Sequence, residues 1–504
     1  MEARAGPELG RPGAAALIAA GEPGDGMRKG PAQVNGVTVM PEFFQVEGVE
    51  AVLDNLQRRA RVDAIATSPY VMAPAPDGTG GREPPIDAGA GSVRLLDRPL
   101  WGRRELSVRT APSFVPDASL YRGLRYQPAA ADDLTRDQGH VVADAIRAAK
   151  ARGMTVLLQV QAAIPPGYRV QFGGPVEEDR PRLPDGSTPR LRVDNNGSLA
   201  SPHLHDYARA MVRDLVRAYP EADGLRIDWP EYPPYSLDGA FFDFGPHAQA
   251  AAARLGHDFE AMRAAAGTLR ARLLGGLSPA DLTMWTERDG GRFRLLQALV
   301  DAPALRDWLA FKADLAAGIV ATFRAALDEA APGRMLVAGA FPPPLSILSG
   351  FSYRRAGAQC DAVMAKLFTM HWAMMVRGWG DALADANPAL RGHAALPRTL
   401  AALFDFVDDA GHDRLEDWRY PEPEEAHPVG GHAQTRKIRN AQAEAGETPV
   451  WALAHGYGPV ADFARRFAIA REAACGRAWV NRYGYLSDAK LDAIGAIVAR
   501  GKPA

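Results

Sequence analysis

Residues Ala222 to Tyr235 read ADGLRIDWPEYPPY. The stretch opens as a short apolar strand and closes in a stiff aromatic and proline turn, yet it carries Arg226 and Asp228 two residues apart. In a strand, residues i and i+2 share a face, so these two charges point one way while Leu225 and Ile227 point the other. Burying two charges on one strand face is expensive unless they are paired or used. A buried ion pair is the simpler account. The functional account is that Asp228, the last residue before the turn, stands where barrel enzymes place catalytic groups, with Arg226 keeping its carboxylate ionised.

Outward from this strand, short apolar or β-branched runs alternate with amphipathic segments from about residue 34 onward, the pattern of βα units around a parallel sheet. The runs are VNGVTVMPEFF, VDAIATSPY, MTVLLQVQ, ADGLRID, RMLVAGAFPPP, CDAVMAKLFTMHW, TPVWALAHGYG and GRAWVNRYGYLS. Gly153 is a stop signal after the helical DQGHVVADAIRAAKAR. Eight strand candidates with intervening helices predict an α/β fold, a (β/α)8 TIM barrel. The competing doubly wound sheet lacks a G-x-G-x-x-G after its first strand. Residues 34–504 are expected to form the barrel, behind a tail at 1–33, with long insertions near 74–134, 169–200, 235–300 and 375–434. These insertions follow strand ends and so fall on the face where barrel active sites lie. They carry Trp101, Tyr121, Phe172, Tyr235, Phe241, Trp285, Trp379 and Trp418, rings suited to stacking on sugars or, more simply, to small cores beneath the loops.

With 58 Lys+Arg against 60 Asp+Glu, no overall field recruits nucleic acid or anionic lipid. No run approaches the roughly 18 apolar residues of a membrane span, and the first residues lack the pattern of a secretory signal. Only Cys360 and Cys475 occur, too few for a disulfide framework. A cytoplasmic protein with a small-molecule partner is the expectation.

DGLRID resembles the fourth-strand motif of the α-amylase and α-galactosidase-type superfamily of glycoside hydrolases. The helix running into YPEADGLRIDWPEYPPY is also similar to glycoside-hydrolase-like barrels in which a helix leads to D-G-x-x-x-D and a Tyr/Pro turn. The resemblance implies a carbohydrate substrate, Asp228 as nucleophile and Arg226 as its positioning partner. It also implies an acid glutamate after the fifth strand and a His-Asp pair near the seventh, whereas MLVAGAFPPP contains no carboxylate and VWALAHGYG only His455. The chain departs here from an ordinary α-amylase, and the general acid must be found elsewhere.

Glycoside hydrolysis uses two carboxyl groups, about 5 to 5.5 Å apart in retaining enzymes and about 6.5 to 9.5 Å in inverting ones. Glu231 follows Asp228 by three residues, in a turn stiffened by Pro230, Pro233 and Pro234. Glu42, in VTVMPEFF, ends the first strand among apolar neighbours that would raise its pKa. Either suits the acid/base role, with Glu287 and Asp289 in TERDGG as loop alternatives. Tyr70, Gln159, Gln161, Trp229, Lys366, His371, His455, Tyr457 and Asn481 lie at or near strand ends and suit hydroxyl recognition. Singly, each is as readily a hydrogen-bonded structural residue; together they are too many for a barrel interior, which favours branched apolar side chains.

No metal or cofactor is expected. His203 and His205 in SPHLHDY precede a helix, H-E-x-x-H is absent, and no P-loop or G-x-S-x-G elbow occurs. Two alternatives to a glycosidase remain open: a metal-free lyase or isomerase using Lys366 as base or Schiff-base amine, and a carbohydrate-binding barrel without turnover.

Overall fold

A computed structural model describes residues 33–86, 93–189, 195–286, 290–409 and 411–500. All of the expected tail except Gln33, and the alternative acids Glu287 and Asp289, lie outside the described residues. The described strands are β1 (Val34–Thr38), β2 (Ala64–Thr67), β3 (Tyr70–Pro74), β4 (Gly81–Glu83), β5 (Leu106–Pro112), β6 (Thr155–Gln161), β7 (Gly224–Asp228), β8 (Met335–Ala340), β9 (Ala362–Leu367), β10 (Val450–His455) and β11 (Arg477–Asn481). Eight of them close into a parallel barrel in the order β1-β11-β10-β9-β8-β7-β6-β2. Each of the eight runs singled out in the sequence supplies one of these strands. Every residue of β1, β2, β7, β8, β9 and β10 is buried, as expected for parallel strands covered on both faces.

The barrel interior is filled by Leu157, Val337, Met364 and Leu453 around two tryptophans. Trp451 and Trp479 stack with centroids 5.9 Å apart and planes 2° from parallel. Gly36 on β1 is what lets Trp479 in, since a Cβ at that position would fall inside the indole ring. Above the tryptophans Thr38 Oγ1 accepts hydrogen bonds from Trp479 Nε1 (3.0 Å) and from Arg226 NH1 (2.6 Å). This polar layer separates the apolar bottom of the barrel from its mouth.

Local signals place the flanking helices. The helix His140–Ala151 stops at Gly153, which takes a left-handed φ of 75°. Ser201 caps the helix Pro202–Ala218, its hydroxyl accepting from Leu204 N–H, with proline at the first helical position. The first insertion builds a small antiparallel sheet in the order β3-β5-β4. Tyr70, read as the end of the second strand, instead opens this sheet, pairing with Pro112. The insertion after β7 holds helices that lead into the long helix Pro303–Ala330. Of the loop aromatics, Tyr121, Tyr235, Phe241, Trp379 and Trp418 are buried in the main hydrophobic core around the barrel, while Trp101 is exposed. No helix among the described residues is long and apolar enough to cross a membrane.

Candidate functional site

The C-terminal ends of the barrel strands carry two clusters of buried charge. The first is built on β7 and β9. Asp228 ends β7 and Lys366 is the penultimate residue of β9, and Lys366 Nζ lies 2.8 Å from Asp228 Oδ1 and 3.4 Å from Glu231 Oε1. Asp228 Oδ1 and Glu231 Oε1 thus share one ammonium between them. Gly339 on β8, the register partner of Asp228, makes the pairing possible: a Cβ there would stand 3.0 Å from Asp228 Oδ1 and 3.4 Å from Lys366 Cε. The fifth barrel strand thus contributes space where the resembled family has a carboxylate.

Trp229 has a left-handed φ of 56°, a conformation costly for a bulky residue and common at functional sites. It turns the backbone so that Trp229 N–H donates to Asp228 Oδ1 at 3.1 Å and the indole lies 5.4 Å from Lys366 Nζ. Asp228 keeps 8% of its surface exposed, whereas Glu231 has none. Glu231 accepts from Phe341 N–H (2.9 and 3.1 Å to its two oxygens) and from Ser349 Oγ–H (2.7 Å). Burial pushes its carboxyl above the usual range, against Lys366, Ser349 and the Phe341 amide, which pull it down. Every one of these partners is a donor, so the site is built to hold Glu231 as an acceptor.

Arg226, expected to pair with Asp228 and to meet substrate, forms no ion pair with Asp228 and is sealed below the mouth. It has no exposed surface, makes no ion pair among the described residues and donates to Thr38 across the barrel; burial lowers its guanidinium to about 10, with Asp228 opposing the shift. The i, i+2 geometry put both residues on the inner face, but a side chain one layer deeper than Asp228 reaches the opposite strand before it reaches the mouth.

The second cluster surrounds Glu42, at the start of the helix Pro41–Glu47. Tyr70 OH donates to Glu42 Oε2 at 2.9 Å. Arg169 and Arg482 stand 3.9 and 4.0 Å from Oε1, and both guanidinia bond Glu83. Glu42 Oε1 has no hydrogen-bond partner among the described residues. Burial pushes the Glu42 carboxyl up, the Glu83 charge adds to this, and the two arginines oppose it. Glu42 is fully buried.

Between the clusters runs an arc of rings. Tyr235 lies 6.0 Å from Trp229 and 5.1 Å from His371, whose Nδ1 shares a 3.0 Å hydrogen bond with the Tyr235 hydroxyl. Phe368 lies between His371 (6.0 Å) and His455 (5.2 Å), and Tyr485 lies 5.0 Å from His455 and beneath the Arg482 guanidinium at 5.4 Å. His371 sits in the helix Thr369–Ala386, one turn beyond its strand end. His455 is held neutral by burial and by surrounding cations, its pKa well below the ordinary value. Tyr457 donates to Pro421 O (2.8 Å) and packs on Tyr420 and Tyr485. Gln161 is in register with Asp228 on β6 and its buried Oε1 has no partner among the described residues; Gln159 Oε1, one layer down beside Arg226, has none either. Asn481 is half-buried at the end of β11, in register with Thr38 and His455.

The structure therefore gathers Asp228, Glu231, Lys366 and Trp229 at one point and Glu42 and Tyr70 at another. The sequence reading omitted Glu83, Arg169, Arg482 and Ser349. Arg482 directly follows β11 and carried the signal of a charge at a strand end; Glu83 ends the three-residue strand β4, too short to show a period, and Arg169 stands in the loop after β6, where no periodicity marks it. The lone histidines of SPHLHDY separate: His205 bonds Thr322 Oγ1 (2.6 Å) and Leu199 O (2.9 Å), while His203 turns toward His247.

No protein-family model matches the chain, nor does any curated protein sequence. Among solved structures it is similar to the β-galactosidase of the psychrophilic Marinomonas ef1, at 11% identity and a TM-score of 0.45, over 89% of this chain and 54% of that one. It is also similar to the catalytic domain of a Paenibacillus polymyxa β-amylase (10%, 0.46, over 93% and 99%) and to α-L-fucosidase isoenzyme 2 of Paenibacillus thiaminolyticus (10%, 0.43, over 93% and 49%). The chain spans about half the length of the β-galactosidase and the fucosidase. At such identities and TM-scores the activity rests on this chain's own side chains; the closed eight-stranded parallel barrel itself makes the protein a (β/α)8 barrel.

Proposed function

We propose that this barrel hydrolyses a glycosidic bond, with Asp228 as the carboxylate that meets the anomeric carbon. The observation that carries the reading is that Asp228, alone of the carboxylates in the two clusters, retains exposed surface while its Oδ1 is held by Lys366 and the Trp229 amide. Lys366 and Glu231 act as positioning residues: Glu231 anchors the ammonium, and the ammonium holds Asp228 in one orientation. Burial raises both carboxyls, but Glu42 suits the acid/base role better than Glu231, because its Oε1 is free of hydrogen-bond donors among the described residues while both Glu231 oxygens are engaged. Gln161, His371, Trp229 and Asn481 would line the sugar subsite between them. Lys366, engaged by two carboxylates, is arranged as an ion-pair partner, which speaks against the Schiff-base alternative.

A second reading, a carbohydrate-binding barrel without turnover, draws support from the complete burial of both Glu42 and Glu231. One panel separates them. Aryl α- and β-glycosides are offered to the wild type, Asp228→Asn, Glu42→Gln and Glu231→Gln, the last two with and without azide. The glycosidase reading expects turnover by the wild type, loss in Asp228→Asn and azide rescue of Glu42→Gln. Sugar binding by calorimetry with no turnover on any glycoside would establish the second reading, and full activity of Asp228→Asn would remove Asp228 from the chemistry.

A further inference from the structure

A group of metal-ligating side chains lies apart from both charge clusters. Asp179 ends the short turn Glu177–Asp179 in the insertion after β6, and His203 and His247 are each the second residue of a helix that begins Pro-His, Pro202–Ala218 and Pro246–Leu255. One ligand atom from each of the three lies within 4.8 Å of the others. His247 Nε2 approaches Asp179 Oδ1 to 2.7 Å, and the two imidazoles meet edge to face with centroids 5.8 Å apart. We infer that Asp179, His203 and His247 form a zinc-binding site that clamps the insertions after β6 and β7 to one another.

The chemistry of the donor set selects the ion. Two imidazoles and one carboxylate, with no thiolate, match a zinc site of three protein ligands and one water; calcium and magnesium would require more oxygen ligands. A zinc ion about 2.0 to 2.1 Å from each donor sets tetrahedral donors about 3.3 Å apart, so binding requires His247 to give up its 2.7 Å hydrogen bond to Asp179 and the side chains to adjust around the ion. The carboxylate is already oriented as a ligand must be. Asp179 is fully buried, Ser201 Oγ–H donates to Oδ1 at 2.8 Å and Tyr126 OH donates to Oδ2 at 2.6 Å, the outer bonds that fix metal-binding carboxylates elsewhere. The competing cation is Arg125, 3.2 Å from Oδ2 on a side chain 36% exposed; it occupies the oxygen turned away from His247. The two helix N-termini disfavour a cation, and the buried carboxylate supplies the opposing charge. Asp179 O also accepts from Ser198 N–H (2.7 Å), and Asn196 Nδ2 donates to Glu231 O (2.7 Å). The clamp therefore borders the segment that holds the Glu231 backbone, whatever reaction the barrel performs.

The test uses the full chain, stripped with EDTA and titrated with zinc chloride by calorimetry, and with cobalt(II) chloride by visible absorption. The wild type is expected to bind one zinc ion per chain and to show the absorption bands of four-coordinate cobalt. His203→Ala and His247→Ala should bind zinc at least tenfold more weakly and lack those bands, with unchanged circular dichroism. His140→Ala, at a histidine 62% exposed elsewhere on the surface, should match the wild type. Should either alanine variant fail to fold, His203→Gln and His247→Gln replace them and must show the same loss. No zinc uptake by the stripped wild type, uptake unchanged in the His203 or His247 variants, or equal weakening in His140→Ala would each overturn the site.

Discussion

Asp228 and Lys366 form the contact on which the candidate chemistry turns. A buried ion pair adds little net stability, but breaking it by removing one partner typically costs about 3 to 5 kcal/mol, because the other charge stays buried and unpaired. Lys366→Met leaves two carboxylates, Asp228 and Glu231, without their shared cation. Urea denaturation should show it destabilised by about 3 kcal/mol or more, and Lys366→Met/Glu231→Gln should regain part of that loss. Turnover should fall in both, since neither restores the orientation of Asp228; recovery of activity in the double variant would show that Lys366 acts only through stability. Lys366 was legible in the sequence as a charge at a strand end. Its partners were not, because the strand pattern gives a residue's face and layer but not which of several inward side chains it meets.

At the scale of the strand, Gly339 on β8 decides whether β7 and β9 can pair their charges across it. A methyl group there meets Asp228 Oδ1 at 3.0 Å and Lys366 Cε at 3.4 Å. Neither can retreat freely, with Asp228 held by the Trp229 amide and Lys366 by Glu231. Gly339→Ala should therefore cost about 1 to 3 kcal/mol through overpacking and lower kcat more than it raises KM, measured by denaturation and steady-state kinetics; an unchanged kcat would mean that the pair tolerates displacement. The eight strands were readable because each is a short apolar run bounded by glycine, proline or polar residues. The small sheet of the first insertion was not: β4 is three residues long, Gly81–Glu83, and its pairing with β5 is set by the register of distant residues.

Across the whole molecule, buried titratable groups away from the mouth set the pH dependence of stability. Lys312 joins the long helix Pro303–Ala330 to the loops at Ala240 O and Leu348 O, and Lys437 joins the helix Gly431–Ala445 to Phe404 O. Burial lowers each ammonium to about 7, against weak support from Asp243 and Asp405 respectively. The unfolded chain keeps these protons up to about pH 10.4, so between about pH 7 and 10 it binds more protons than the folded one and stability rises with pH, by up to about 1.4 kcal/mol per pH unit for each lysine. Urea midpoints should increase from pH 7 to pH 9, and Lys312→Met should flatten that slope; an unchanged slope would mean that Lys312 stays charged in the fold. In the acid direction His427 and His455, both held well below the ordinary imidazole value by burial and nearby cations, stay neutral while their unfolded counterparts take up protons. Their contribution is present above about pH 6.5 and is lost as the pH falls below it, which His455→Gln should lessen. By itself, the sequence determined the barrel, the inward face of each strand and the singular position of Asp228, since hydrophobic periodicity and chain order are local properties. Only the tertiary structure decided that the cation on Asp228 is Lys366 and not Arg226, that Glu231 is sealed among donors, and that Glu83, Arg169 and Arg482 gather at Glu42. Those pairings depend on the closure of the barrel and the path of its insertions, which bring together residues tens to hundreds of positions apart.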